Sequence, residues 1–221
     1  MFPARPRQLF RLGALVVGLW PAWFAHGQSF VENRGQVLDQ YREPNTAVRY
    51  LLETPNNTIT LREGGFSYDT YTVEQAPRPT NFGTSPYPTT KRESLPPAMA
   101  LHVHRVDVEL VGCDPSAWME PQQVVKGLSH FYTGEEPIIG VRAFDVVLYH
   151  NVYPHIDVEF VGGAHFEYNF ILHPGADINA IQLRYTGATG AELKNGQVTL
   201  QLAHGELAEH VPMSYRLRDE R

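Results

Sequence analysis

Apolar and polar residues alternate with a period of two along most of this chain. Glycine, asparagine or proline interrupts the alternation every ~8–12 residues. A period of two puts successive side chains on opposite faces of a strand, whereas an amphipathic helix needs a recurrence near 3.6. No segment holds a helical period over two or more turns. Thr58-Ile-Thr-Leu-Arg62 and Phe66-Ser-Tyr-Asp-Thr-Tyr-Thr-Val73 flank Glu63-Gly-Gly65, and glycine supplies the positive φ that a tight hairpin turn needs. Ile156-Asp-Val-Glu-Phe-Val161 and Phe166-Glu-Tyr-Asn-Phe-Ile-Leu172 flank Gly162-Gly163. In that hairpin Ile156, Val158 and Phe160 are expected in the core, with Asp157 and Glu159 on a solvated face. Ala191-Glu-Leu-Lys194 and Gln197-Val-Thr-Leu-Gln-Leu202 flank Asn195-Gly196, the signature of a type I′ turn. The pattern predicts one helical turn near 177–181 and about ten to twelve short strands. The fold class is therefore all-β and antiparallel, β-sandwich-like, with two packed β subdomains as a variant of the same reading.

The alternation divides the chain into an N-terminal β segment, 28–74, and a main β domain, 100–221, that packs with it. Between them, residues 75–99 contain six prolines and no periodicity, which reads as an extended mobile loop. In the long run 98–111 the apolar set changes parity near Arg105, which predicts a bulge or a change of covering face. Residues 116–140 read as loop-rich. Hydrophobic residues make up 43% of the 221, enough apolar material for a packed core. The single cysteine, Cys113, rules out an internal disulfide framework and reads as a small side chain packed at a turn.

Residues 1–27 follow a different logic. Arg5, Arg7 and Arg11 precede an apolar run of about 13–14 residues broken by Pro21, and Ala25-His-Gly27 places small residues at a cleavage site. This is the layout of a secretory signal peptide, and it is shorter than the ~20 residues that a spanning helix needs. Cleavage leaves a chain that begins near Gln28 with no further stretch able to span a bilayer. The expected location is secreted or at the cell surface.

The net charge of −6 argues against a nucleic-acid partner, whose footprint is usually basic. Removing the three N-terminal arginines leaves 15 basic against 24 acidic residues, a net charge of −9. Histidines and carboxylates lie close together in sequence: His102, His104, His150, His155, Asp157, Glu159, His165, Glu167 and His173. His102 and His104 share one strand face, as do Asp157 and Glu159, and Glu167 lies on the partner strand. Imidazole and carboxylate are ordinary metal ligands, and three carboxylates together favour calcium. Against a site stands the absence of any motif with ligand spacing, so Asp157, Glu159, Glu167, His102 and His104 read first as solvated strand faces. No G-x-S-x-G elbow or paired-carboxylate motif indicates a hydrolase, and no catalytic residue or cofactor is assigned.

A second kind of signal lies in specific stretches. These are Phe30-Val-Glu-Asn-Arg-Gly-Gln36, Tyr132-Thr-Gly134, Tyr149-His-Asn-Val-Tyr-Pro-His-Ile-Asp157, Phe166-Glu-Tyr-Asn-Phe170, His173-Pro-Gly-Ala-Asp177 and Pro212-Met-Ser-Tyr215. Together they resemble the uncharacterised, β-rich N-terminal domain of large exported bacterial proteins. Those proteins carry β-propeller-type (SBBP) repeats, PKD-like or immunoglobulin-like modules, or gliding-motility-type C-terminal sorting domains. The resemblance covers nearly all of the chain after residue 27, and the Tyr-Pro-x-Ile-Asp stretch is its most specific part. Members usually have aspartate where Asn169 stands here. Arg221 follows the motif directly with no repeats after it, which reads as a fragment or a short family member.

The resemblance implies fold and location, and no activity. The resulting expectation is a non-catalytic structural or adhesive module of a secreted or surface protein. Its partners are other domains of a longer chain, or surface glycans and proteins. Two alternatives are a carbohydrate-binding β-sandwich, with Tyr68, Tyr71, Phe82 and Tyr87 lining a groove, and a cryptic hydrolase.

Overall fold

A computed structural model describes residues 28–55, 57–75, 99–132, 136–163, 165–210 and 214–216. The expected signal peptide and almost all of the proline-rich segment lie outside the described residues. The chain is all-β, with sixteen strands among the described residues: β1 (Phe30–Glu32), β2 (Val48–Glu53), β3 (Asn57–Arg62), β4 (Gly65–Gln75), β5 (Met99–Leu110), β6 (Trp118–Val124), β7 (Ser129–Phe131), β8 (Ile138–Val141), β9 (Ala143–Tyr153), β10 (Ile156–Val161), β11 (Glu167–Leu172), β12 (Leu183–Thr186), β13 (Gly190–Lys194), β14 (Gln197–Leu202), β15 (Gly205–His210) and β16 (Ser214–Arg216). A 3-10 turn at Ile178–Ala180, capped by the Asp177 side chain, occupies the place of the expected helical turn.

Eleven strands form one sheet in the order β12-β5-β4-β3-β2-β1-β9-β10-β11-β16, with β6 added to the free side of β9. The sheet turns a corner at β1, where Val31 lies opposite Leu51 of β2 and Ala143 of β9. It thereby becomes two facing layers. Phe66 of β4 meets Phe160 of β10 edge-on, with ring centroids 5.6 Å apart, and lies 5.0 Å from Tyr168 of β11. These rings, with fully buried Phe30, Leu61, Val108, Ile156 and Phe170, form one core. Edge-to-face aromatic pairs add about 0.5–1.5 kcal/mol each beyond their buried area.

The small sheet β13-β14-β15 covers this core from the side, presenting Leu200 and Leu207. Its β13–β14 turn is Asn195-Gly196, with φ of 52° and 73°, the double positive φ of a type I′ turn. A second glycine is required at Gly187, where φ is +103° and an added Cβ would run into the Arg105 carbonyl oxygen.

The hairpins β3–β4, β10–β11 and β13–β14 fall where the alternation places them. Three expectations are corrected. The stretch 116–140 is not mainly loop, because β6, β7 and β8 lie in it. Pro121 and weak alternation disguise β6, and an edge strand, paired to β9 alone, is where proline can sit in a sheet. No bulge occurs near Arg105, since β4 and β5 pair in unbroken register from Gly65–Glu109 to Gln75–Met99. Nor does the covered face change: His104 shares the face of buried Val106 and Val108 and meets the small sheet, and Val103, 58% exposed, is an apolar residue on the outer face. Lastly, Asp157 is not on a solvated face but 7% exposed.

Candidate functional site

The β9–β10 connection positions the densest group of acids and imidazoles. Pro154-His155 forms the turn, with φ of +62° at His155. Four residues before His155, Asn151 adopts φ of +52°, and the β9–β10 register shifts between Ile156 and Val158. The extra residues form a bulge, which re-aims neighbouring side chains and leaves a backbone N–H without a ladder partner. Asp157 supplies that partner: its Oδ1 accepts from the Asn151 N–H at 2.7 Å. Its Oδ2 accepts from His173 Nε2, also at 2.7 Å, and lies 3.9 Å from His150 Nδ1. The other ring nitrogen of His150, Nε2, donates to Glu120 on β6 at 2.9 Å. Trp118 stacks on the His150 ring, with centroids 4.2 Å apart and planes 22° from parallel. That hydrogen bond, followed by one from Gln122, holds the Glu120 carboxyl below its usual range.

The result is a chain Glu120–His150–Asp157–His173 along the outer face of the β6-β9-β10 layer. A carboxylate that orients an imidazole is half of a hydrolytic triad, and the other half is a nucleophile within hydrogen-bond reach of the ring. Among the described residues no hydroxyl or thiol is hydrogen-bonded to His150 or His173. Cys113 lies elsewhere, its Sγ 3.6 Å from the Tyr149 hydroxyl, and burial pushes its thiol up, away from the reactive thiolate.

The expected metal candidates do not converge. Asp157 is committed as above. Glu159 and Glu167 share the outer face of β10–β11 but lie diagonally, opposite Asn169 and Val161 respectively. His102 is on another layer, 3.4 Å from Glu74, with its ring 4.9 Å from that of His204. His104 Nε2 meets the Gly187 carbonyl at 2.9 Å, and its Nδ1 accepts from the Ala203 N–H at 3.3 Å. One donor and one acceptor fit a neutral ring protonated on Nε2 that clamps the small sheet to β5. Among the described residues no group of three histidine, cysteine, aspartate or glutamate side chains could hold a metal ion.

Of the aromatics expected to line a sugar groove, Tyr68 is 5% exposed and inside the core, and the Tyr71 hydroxyl donates to the Thr54 carbonyl at 2.6 Å. Phe82 and Tyr87 lie outside the described residues.

A second polar centre escaped the sequence reading. Glu209 of β15 is 4% exposed, and its carboxylate accepts hydrogen bonds from three phenols. Tyr68 reaches Oε2 at 2.8 Å, Tyr168 reaches Oε1 at 2.9 Å, and Tyr185 of β12 also donates to Oε1. Burial first, then the Glu209 charge, holds Tyr68 and Tyr168 well above the usual phenol range, and Tyr185 is raised for the same reasons. The cluster ties β4, β11, β12 and β15 at one point. Its signal was present in sequence: Glu209 shares strand parity with Leu207, so a carboxylate stands on the apolar face.

No curated protein and no solved structure matches the chain. Among the described residues no helix is long and apolar enough to cross a membrane. Two of the segments that carry the resemblance, 30–36 and 149–157, hold residues with a structural part: Asp157 braces the β9–β10 bulge, the Tyr153 hydroxyl donates to the Gln182 carbonyl at 3.2 Å, and the Asn33 side chain donates to the Asn45 and Val48 carbonyls at 2.8 and 2.9 Å. A family model matches residues 30–221, and on that match the chain belongs to the family described as Domain of unknown function (DUF7948).

Proposed function

We propose that this domain is a non-catalytic structural or adhesive module of an exported bacterial protein. It is released from a signal peptide near Gln28 and works beside repeats or sorting domains of a longer surface chain. One observation carries the reading: the acids and imidazoles that chemistry would need are spent on holding the fold. Asp157 is bonded to the Asn151 backbone and to His173, Glu209 accepts three phenols, and His104 bridges two backbone groups. Among the described residues no buried side-chain nitrogen or oxygen lacks a hydrogen-bond partner.

The test is mass spectrometry of the chain in the extracellular and surface fractions of its host, together with deletion of residues 30–216 from it. The expected result is a mature N-terminus at or near Gln28 and loss of surface retention on deletion. An intact Met1 on a cytoplasmic product overturns the reading.

A further inference from the structure

A cleft of about 370 Å³ lies between β2 and the start of β6, with Glu32, Arg49, Tyr50, Glu63 and Trp118 among its walls. That volume is at the low end of the ~300–1,000 Å³ typical of small-ligand sites. Two aromatics enter it, and each leaves its polar tip unengaged: neither the Tyr50 hydroxyl nor the Trp118 indole N–H has a hydrogen-bond partner among the described residues. Trp118 is 52% exposed and is held in place by its stack on His150. Tyr50 is fixed edge-on against Phe144, centroids 6.2 Å apart. Rigid aromatic bodies with free polar tips offer contact area at small entropic cost.

The charged walls are already paired. Arg49 bonds Glu63, and Arg142 bonds Glu32 at 3.2 Å. A paired carboxylate and guanidinium present acceptor and donor side by side without a strong net charge. This suits vicinal hydroxyls, each of which donates and accepts, better than it suits an ion. We propose that this cleft binds a neutral saccharide, its ring packed on Trp118 and its hydroxyls shared among Tyr50, Glu63 and Arg49. The inference moves the expected sugar platform from the buried Tyr68 to a different edge of the sandwich. It gives the adhesive reading a ligand class, and it rests on that reading only in that the sugar leaves unchanged.

The chain contains three tryptophans, Trp20, Trp23 and Trp118. Fluorotryptophan labelling of the full chain therefore gives a small set of fluorine NMR resonances, and the one lost in Trp118→Phe reports the cleft. Cellobiose, maltose, lactose and chitobiose are titrated separately, and the sugar is afterwards analysed by chromatography. The expected result is a saturable shift of the Trp118 resonance with at least one disaccharide. Tyr50→Phe should weaken that binding about fivefold at an unchanged melting temperature, the loss expected for one hydrogen bond. No saturable shift with any of the four at tens of millimolar overturns the inference and leaves the non-catalytic reading standing. A shift with tetramethylammonium in place of sugars assigns the cleft to cations and also overturns it. Binding followed by cleavage keeps the saccharide and overturns the non-catalytic reading instead.

Discussion

Glu209→Ala should be among the most damaging single substitutions in the chain. Its carboxylate accepts from Tyr68, Tyr168 and Tyr185, of which Tyr68 and Tyr168 are 5% and 6% exposed. Truncation takes the carboxylate acceptor from two buried hydroxyls, leaving Tyr168 only the Tyr185 hydroxyl at 3.5 Å, at about 1–3 kcal/mol each, while the half-buried Tyr185 can turn toward water. The expected loss is about 3–5 kcal/mol, a large share of the roughly 5–15 kcal/mol that holds a domain folded. Tyr68→Phe alone removes one hydrogen bond to a charged acceptor and should cost about 1.5–3 kcal/mol. In the Glu209→Ala background the same change removes an orphaned hydroxyl, so it should be neutral or stabilising. Urea unfolding of the four proteins followed by circular dichroism closes the cycle, and equal slopes certify a shared unfolded reference. If Tyr68→Phe costs the same with and without Glu209, the carboxylate does not organise the cluster and the reasoning fails.

Other outcomes follow from the same geometry. Phe160→Ala should cost about 3–5 kcal/mol by thermal melting because the ring is fully buried, whereas Glu159→Ala should stay within about 0.5 kcal/mol. Tyr68, Tyr168 and Tyr185 are all raised in the folded state. Their contribution is therefore whole below the free-phenol value of about 10 and is lost as pH rises through the folded values, so melting temperature should fall above about pH 10. Replacing all three by phenylalanine should flatten that alkaline limb. His104→Ala should raise amide hydrogen exchange in β13–β15 before it does so in β9–β11, because the ring bonds Gly187 and Ala203 at the join.

What the sequence made legible was local. Asn195-Gly196 and Gly162-Gly163 name their hairpins, since a turn's φ requirement is set by residues adjacent in the chain. The face assignment of Ile156, Val158 and Phe160 also held, because one parity of a strand must bury it. What stayed hidden depends on distant partners. Asp157 reads as solvated until the bulge at Asn151 turns a backbone N–H toward it. His104 stands on the same parity as Val106, which made the apolar pattern look broken. The interruption marks where the small sheet docks, 83 and 99 residues away in sequence. Trp118 and Glu120 lie in a strand obscured by Pro121, so the acid–imidazole chain lacked one of its four members, Glu120, on paper.

The account stands on the claim that this chain of acids and imidazoles holds structure and performs no reaction. The most direct measurement is surface retention of the exported protein carrying Asp157→Asn and His173→Gln together, which leaves the His150 ring under Trp118 in place, scaled to its folded fraction. The account predicts retention that falls only as far as the folded fraction falls. Lost retention at a wild-type folded fraction would contradict it.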